Sequence, residues 1–449
     1  MASNLASTDD QEDPDIAELI AARPQFAMHA MDGLLMDGVP LNAVADAMGT
    51  PSWVISAPTL RRRYRELAAA LGDAGLDVKI HYAVKANDHL AVLRVLGAEG
   101  AGADVVSGGE LLRALEAGIA SRSIVFSGVG KTEAELRLAL EHDVEQINVE
   151  SAEELDMLSA LAAAIGRVAR VALRVNPDVD AGSHAKISTG RARDKFGVPY
   201  ADAAALYVRA ARLPGVRPIG LAVHIGSQIQ AMAPFRAAYA RIADLVRALR
   251  QGGQSVSAVD CGGGLGIGYR GEPGGSPRAL AGAIRASLGE LDLRLMIEPG
   301  RWLVGPAGVL LASAVLEKRS GDQRFVVLDA AMNDLVRPSM YEAWHGVVPM
   351  SAADARRPVS PADIVGPVCE SGDTFARSRS LPLLAAGSRV AILDAGAYGA
   401  VMSSTYNARP LAAVAMLDPC AGGEGFSVIR ERQPVAALWR DEIVPSWLR

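Results

Sequence analysis

Between residues 78 and 300 short apolar or β-branched runs recur eight times: VKIHYAVKA (78–86), ADVVS (103–107), IVFSG (124–128), QINVES (146–151), VALRVNP (171–177), GLAVHIG (220–226), SAVDCGGG (257–264) and RLMIEPG (294–300). Ala/Leu/Glu/Arg-rich stretches of helical periodicity separate them, such as GGELLRALEAG and SAEELDMLSALAAAIG. A strand–helix alternation of this count and length predicts a (β/α)8 TIM-like barrel. A doubly wound open sheet alternates in the same way. The barrel is the better reading, because polar and glycine-rich clusters close strand after strand, where barrels place their active-site groups.

After residue 305 the pattern changes. VLLASAVLEKR, RFVVLDA, VVPM, ADIVGPVC, SRVAILDAG, AVAML and FSVIRER read as strands with few helices between them. They predict a second, mostly β domain of sandwich or barrel type, and SAADARRPVSPA reads as a loop. The run SWVIS (52–56) lies outside the barrel pattern and is expected to join that second domain. Leu60, Tyr64, Leu67 and Leu71 then share one helical face. The expected division is a solvated acidic tail over 1–20, an N-terminal part of the β domain over 21–57, the barrel over 58–305 and the C-terminal β domain over 306–449.

Charge and cysteine usage exclude several functions. The formal net charge is −6 and the isoelectric point about 5.7, which provides no electrostatic footprint for nucleic acid. No apolar run approaches membrane-spanning length, and the acidic start MASNLASTDDQEDPDIAEL lacks the basic and apolar regions of a secretory signal. Three cysteines, Cys261, Cys369 and Cys420, argue for a reducing compartment rather than a disulfide framework. A cytoplasmic enzyme is expected.

The chemistry-bearing residues cluster at the strand ends. Lys85, in HYAVKAND, closes the first strand. It is either a rim lysine whose ammonium snorkels to water or a Schiff-base lysine with a partly desolvated amine. His224, in HIGSQ, is a hydrogen-bonded core residue or a flat ring able to stack on a planar cofactor. CGGGLGIGY (261–269) follows the seventh strand, where barrels recurrently hold phosphate; its glycines admit backbone N–H groups to an anion or merely form a tight turn. It lacks the spacing of a dinucleotide fingerprint. Glu298, in EPGR, is a carboxylate at the barrel mouth and needs a cation, either an arginine or a pyridinium N–H. Arg301 suits an anionic ligand. In the second domain, VRPSMY, CESGD, DAGAYGA and YNARP bring Arg337, Tyr341, Cys369, Glu370, Asp373 and Tyr398 forward as candidates. A metal-dependent hydrolase would need a His/Asp/Glu ligand cluster, and only His81 and His224 lie near strand ends without a fitting carboxylate spacing. No metal is expected.

In order and spacing, HYAVKAND, HIGSQ, CGGGLGIGY, EPGR, VRPSMY, GPVCESGD, DAGAYGA and YNARP resemble the alanine-racemase-like pyridoxal-phosphate (PLP) decarboxylases, and the diaminopimelate decarboxylases most closely. GTPSWVIS (49–56) and HAKISTGRARDKFGV (184–198) add to the likeness, which runs from about residue 25 to the C-terminus. The resemblance implies that Lys85 is the Schiff-base lysine, His224 the residue on the pyridine face and Glu298 the carboxylate on the ring nitrogen. It places Ser227, Gly263, Gly264, Gly300 and Arg301 around the phosphate and Pro299 among the cofactor contacts, with Tyr398 touching phosphate and substrate. Arg301, Arg337, Tyr341, Glu370 and Tyr398 match substrate contacts. Cys369 matches a cysteine that crosses a dimer interface and takes part in protonation, so a homodimer with shared sites is implied.

The reaction implied is decarboxylation of meso-2,6-diaminopimelate to L-lysine and CO2, the last step of lysine biosynthesis. Ornithine, arginine, carboxynorspermidine and siderophore or carrier-bound intermediates are the alternatives, since their enzymes share the cofactor motifs. The arginines favour a substrate that keeps a distal carboxylate. A PLP-binding carrier without catalysis is the rival outside enzymes, and it predicts cofactor absorbance without CO2 release.

Overall fold

The computed structural model describes residues 13–181, 189–190 and 194–448 of the chain. Eight parallel strands, Val78–Ala83, Gly102–Val105, Ile124–Phe126, Gln146–Val149, Ala169–Asn176, Val216–Ala222, Ala258–Asp260 and Arg294–Ile297, form a closed barrel. The first strand pairs with both the second and the eighth, with Ile297 opposite Ile80, and the fourth closes onto the fifth, with Val149 opposite Leu173. The barrel expectation holds. Six of the eight strands are shorter than the apolar runs suggested, Ala169–Asn176 and Val216–Ala222 being the exceptions, and each ends at or before the polar cluster, so Lys85, Ser127, His224, Gly263 and Glu298 stand on the loops just past the C-terminal edge.

The intervening helices form for local reasons. Ser107 and Ser151 accept hydrogen bonds from the Glu110 and Glu154 N–H groups, capping Gly108–Glu116 and Ala152–Ala164. The helix Ala57–Asp73 buries Leu60, Tyr64, Leu67 and Leu71 against the barrel wall, as its 3.6-residue period requires.

The second domain is a sheet ordered Thr374–Pro382, Val359–Val365, Gln323–Leu328, Gly308–Ser320, Ser52–Ser56, Ala413–Leu417, Phe426–Arg430. Arg389–Ile392 also pairs with Gly308–Ser320 and carries Val347–Pro349 on its other side. Strand Ser52–Ser56 lies antiparallel to Gly308–Ser320 and parallel to Ala413–Leu417. This mostly β domain is the second half of the expected fold. Strand Thr374–Pro382 was not anticipated: in TFARSRSLP, arginine and serine mask the period-2 pattern. SAADARRPVSPA is not simply a loop, since Ser351 caps a short helix, Ala352–Ala355, and a strand starts at Val359. Of the stretch read as a solvated tail, residues 13–20 carry structure. Asp15 and Glu18 form a capping box on the helix Ile16–Ala21, and Asp13 accepts from the Trp344 indole N–H at 3.2 Å. Residues 184–188 and 191–193 of HAKISTGRARDKFGV lie outside the described residues.

The domains meet at the barrel mouth. The Tyr398 N–H donates to the Ala86 carbonyl at 2.8 Å, and the Asn87 side chain donates to the Gly396 carbonyl at 3.2 Å. The loop 394–400 is thereby fastened to the turn that carries Lys85.

Candidate active site

Lys85 sits in a 3-10 turn, Val84–Ala86, held by the Tyr82 hydroxyl donating to the Asn87 carbonyl and by the Ala83 N–H donating to the Pro299 carbonyl. The second contact ties the exit of the first strand to that of the eighth. Lys85 Nζ donates to Asp104 Oδ2 at 2.7 Å; the lysine side chain is 33% exposed and Asp104 is fully buried. Burial opposes the ammonium, but the Asp104 and Glu298 carboxylates outweigh it and hold the amine above its usual pKa. The snorkelling alternative fails on this geometry: the nitrogen points at a buried carboxylate of the neighbouring strand.

Glu298 is buried at the same mouth. Its Oε1 accepts from the Ser127 hydroxyl at 3.2 Å and from Asn148 Nδ2 at 3.4 Å. Asn148 also donates to Asp260 Oδ2 at 3.0 Å, and Asp260 Oδ1 accepts from the Gly262 N–H at 2.9 Å. Three carboxylates, Asp104, Asp260 and Glu298, therefore share one buried region with a single ammonium. Burial, followed by Asp104 and Asp260, pushes the Glu298 carboxyl well above its ordinary value, with Lys85 opposing. The Asp104 Oδ1 atom is buried with no hydrogen-bond partner. This end of the site lacks positive charge.

His224 lies between. Its Nδ1 accepts from the Gly263 N–H at 3.1 Å, so its proton resides on Nε2. Burial, then Arg174 and Lys85, hold its pKa well below the usual value, and the ring is neutral. Gly263 must be glycine, because a Cβ there would lie 2.1 Å from the Glu298 carbonyl oxygen. Gly264 follows, its carbonyl accepting from the Ile229 N–H at 2.9 Å.

The opposite end has the reverse imbalance. Arg301 donates to the Ser227 hydroxyl through Nε at 3.3 Å and Nη2 at 3.0 Å, and to the Tyr269 hydroxyl through Nη1 at 2.8 Å. Its guanidinium lies 5.0 Å from the centroid of the Tyr398 ring, and Tyr341 falls within its field. Arg337 packs over Tyr269, 5.2 Å from the ring centroid. Both arginines are buried, and neither has a carboxylate within ion-pair distance among the described residues. A Cβ on Gly300 would approach Ala86 and Ala83 at 3.1 and 3.2 Å, so the glycine lets the chain pass closely under Tyr398. Tyr398 itself holds a left-handed backbone, φ +55°, a conformation rare for a bulky residue and characteristic of constrained sites.

The structure thus brings Lys85, His224, Glu298, Gly263, Gly264, Ser227, Pro299, Gly300, Arg301, Tyr398, Tyr341 and Arg337 to one mouth. Cys369 and Glu370 are exposed on the loop 366–373, and none of the described contacts at the Lys85 site involves them. Glu370 instead lies beside the exposed Tyr406 and holds its hydroxyl above the usual pKa. Asp373 is buried and accepts from the Met332 and Val368 N–H groups at 2.6 and 2.7 Å, so it braces that loop. Asp104, Asp260, Asn148, Ser127, Tyr269 and His345 escaped the sequence reading. Asp260 carried a signal, a carboxylate closing an otherwise apolar run, whereas Asp104 stands inside ADVVS, one residue before its strand ends. Among the described residues no group of three His, Cys, Asp or Glu side chains could hold a metal ion, and no helix is long and apolar enough to cross a membrane.

A ring with a cationic N–H at one end, an aldehyde-derived carbon near Lys85 and a phosphate at the other end fits these two poles of uncompensated charge. The site defines a PLP-binding barrel, and residues 58–305 match the family model "Pyridoxal-dependent decarboxylase, pyridoxal binding domain". Diaminopimelate decarboxylase from Zymomonas mobilis is 46% identical over 92% of this chain and 98% of that protein, and the enzyme from Archaeoglobus fulgidus is 39% identical over 93% and 99%. The crystal structure of diaminopimelate decarboxylase from Helicobacter pylori complexed with L-lysine superposes with a TM-score of 0.84 at 37% identity, covering 89% of this chain and 98% of that one. The chain belongs to the diaminopimelate decarboxylase family, and its cofactor is pyridoxal phosphate.

Proposed function

We propose that this protein removes the carboxylate at the D-configured centre of meso-2,6-diaminopimelate as CO2 and releases L-lysine, the last step of lysine biosynthesis. Lys85 would hold the cofactor, Glu298 its ring nitrogen, His224 its face, and Ser227, Gly263, Gly264, Gly300, Arg301 and Tyr398 its phosphate end. When bound, pyridoxal phosphate supplies an electron sink for the pair left by the departing carboxylate. Lys85 Nζ is charged at rest, and Asp104 Oδ2, 2.7 Å away, is the acceptor positioned to take its proton. The neutral His224 ring brings bulk without charge, which keeps the mouth from repelling a cationic ring.

The observation that carries the substrate assignment is the pair of buried guanidiniums, Arg301 and Arg337, without a carboxylate partner among the described residues. A buried charge is costly unless paired. A substrate keeping a distal carboxylate supplies that partner, whereas ornithine, arginine and carboxynorspermidine bring a further cation. Incubation with each of these should release product from meso-diaminopimelate at least about a hundredfold faster, in kcat/KM, than from the others, since a site built around a polar group rejects substrates that leave it unpaired. Comparable turnover of a diamine-type substrate would overturn the assignment.

The working assembly is a homodimer with shared sites, supported by the exposure of Cys369, Glu370 and Tyr406 on one surface cluster. In this arrangement Glu370 meets the distal ammonium and Cys369 the carbon to be protonated, each in the partner's site. Mixing inactive Lys85→Ala and Cys369→Ala chains should then restore about a quarter of the activity, because random pairing of equal amounts puts half the molecules in mixed dimers with one intact site each. Absence of any recovery after confirmed chain exchange rejects shared sites. A cytoplasmic location accords with three free cysteines, and cell fractionation tests it.

A further inference from the structure

His345 follows the short helix Arg337–Tyr341 and is 1% exposed. Its Nδ1 lies 2.8 Å from the Leu393 carbonyl oxygen, which can only accept, so Nδ1 carries the proton. Its Nε2 lies 2.7 Å from Arg337 Nη1, which can only donate, so Nε2 offers a lone pair. The two contacts fix a neutral imidazole in one tautomer. The ring is held on its other sides as well. Tyr269 meets it edge-on at 5.3 Å between centroids, and Arg379 donates to the His345 carbonyl at 2.7 Å. Tyr269 in turn accepts from Arg301, so one imidazole buttresses the surroundings of both arginines.

The choice of partner has a physical consequence. A carboxylate in this position would orient Arg337 equally well, but it would also neutralise it and compete with any anionic ligand. A neutral acceptor occupies one of the guanidinium's five N–H donors and leaves the charge uncompensated. We propose that His345 is a positioning residue for substrate selectivity: it aims Arg337 at the distal carboxylate while preserving the full charge of the guanidinium for that carboxylate. This deepens the reading above and rests on Arg337 as the holder of the distal carboxylate.

The test uses the cofactor-loaded enzyme and two small molecules that differ only in that group, L-lysine and 1,5-diaminopentane, with binding followed by calorimetry. His345→Leu should weaken L-lysine binding roughly tenfold and leave diaminopentane binding unchanged, as expected for a lost hydrogen bond to a charged group. The KM for meso-diaminopimelate should rise by a similar factor while kcat stays within about threefold. His345→Gln, a neutral acceptor, should recover most of the loss. His345→Glu keeps an acceptor in place and should still bind L-lysine as poorly as His345→Leu. Should His345→Leu fail to fold, the Gln and Glu variants carry the comparison. Unchanged L-lysine affinity in His345→Leu, or equal behaviour of Gln and Glu, overturns the proposal. Arg337→Met separates the two levels: if it keeps the preference for L-lysine, the role given to Arg337 is wrong, and if it loses the preference while His345→Leu keeps it, only the role of His345 is wrong.

Discussion

Lys85→Ala should lower turnover of meso-diaminopimelate on the order of 10³-fold or more, since in the role proposed for it Lys85 is both the covalent anchor and a proton-transfer group. The choice of Lys85 follows from what the neighbouring lysines are doing. Lys79 begins the same strand and pairs at 2.9 Å with Glu145, at the opposite end of the barrel from the mouth. Lys131 is buried and fully engaged by the Gly128 and Asn148 carbonyls and by Glu154 Oε1, each at 2.7 Å. Lys85 alone of these three faces Asp104 and Glu298. Lys85→Arg is the informative control. It keeps a cation for Asp104, yet a guanidinium does not shed its proton and cannot serve as a nucleophile, so it should be as inactive as the alanine variant while remaining folded. Borohydride treatment of the yellow wild-type protein should fix the cofactor on the peptide containing Lys85 and give no labelled peptide in either variant. Recovery of the label on Lys79 or Lys131 would sink the assignment.

The barrel was legible because eight apolar runs bounded by helical stretches leave few alternatives, and the strands they form are buried almost throughout, as parallel barrel strands are. Residues lying in multi-residue motifs at the mouth were legible for the same reason: Lys85, His224, Glu298 and Arg301 each break an apolar run at a strand end. What escaped was pairing between strands. Asp260 ends an apolar run just as Glu298 does, and Asp104 interrupts one, but the charge imbalance they create with Glu298 exists only once the barrel closes and brings them to one mouth. His345 gave no signal at all, because EAWHGVV shows neither a motif nor a partner, and Leu393, which fixes its tautomer, is 48 residues away. Strand Thr374–Pro382 was hidden for a third reason. Arg379, on this strand, buries its side chain to hold the His345 carbonyl and to pair with Asp13 at 3.0 Å, so a residue that reads as exposed is core.

Glu298→Gln is expected to separate stability from catalysis. In the cofactor-free protein, burial and the Asp104 and Asp260 carboxylates hold the Glu298 carboxyl well above its usual value of 4.5. Between those two values the folded chain binds more protons than the unfolded chain, so stability falls as pH rises through the window. Below 4.5 the carboxyl is protonated in both states and the effect vanishes. A glutamine cannot ionise. The cofactor-free Glu298→Gln protein should therefore match or exceed the wild type in thermal stability at neutral pH, and its advantage should grow from pH 4.5 upward. Loading reverses the ranking in activity. A cationic ring N–H would give the Glu298 carboxylate the counter-charge this corner lacks, and the amide cannot return that stabilisation. The loaded variant should retain the cofactor through Lys85, Ser227 and Arg301 while kcat drops on the order of 10²- to 10³-fold, the usual cost of deleting one preorganised electrostatic partner. Melting curves of both cofactor-free proteins from pH 4.5 to 8, set beside kcat of both loaded enzymes, decide the matter. If the wild type gains on the variant as pH rises, the carboxylate cluster is not short of positive charge. If kcat survives within about threefold, Glu298 does not serve the ring nitrogen.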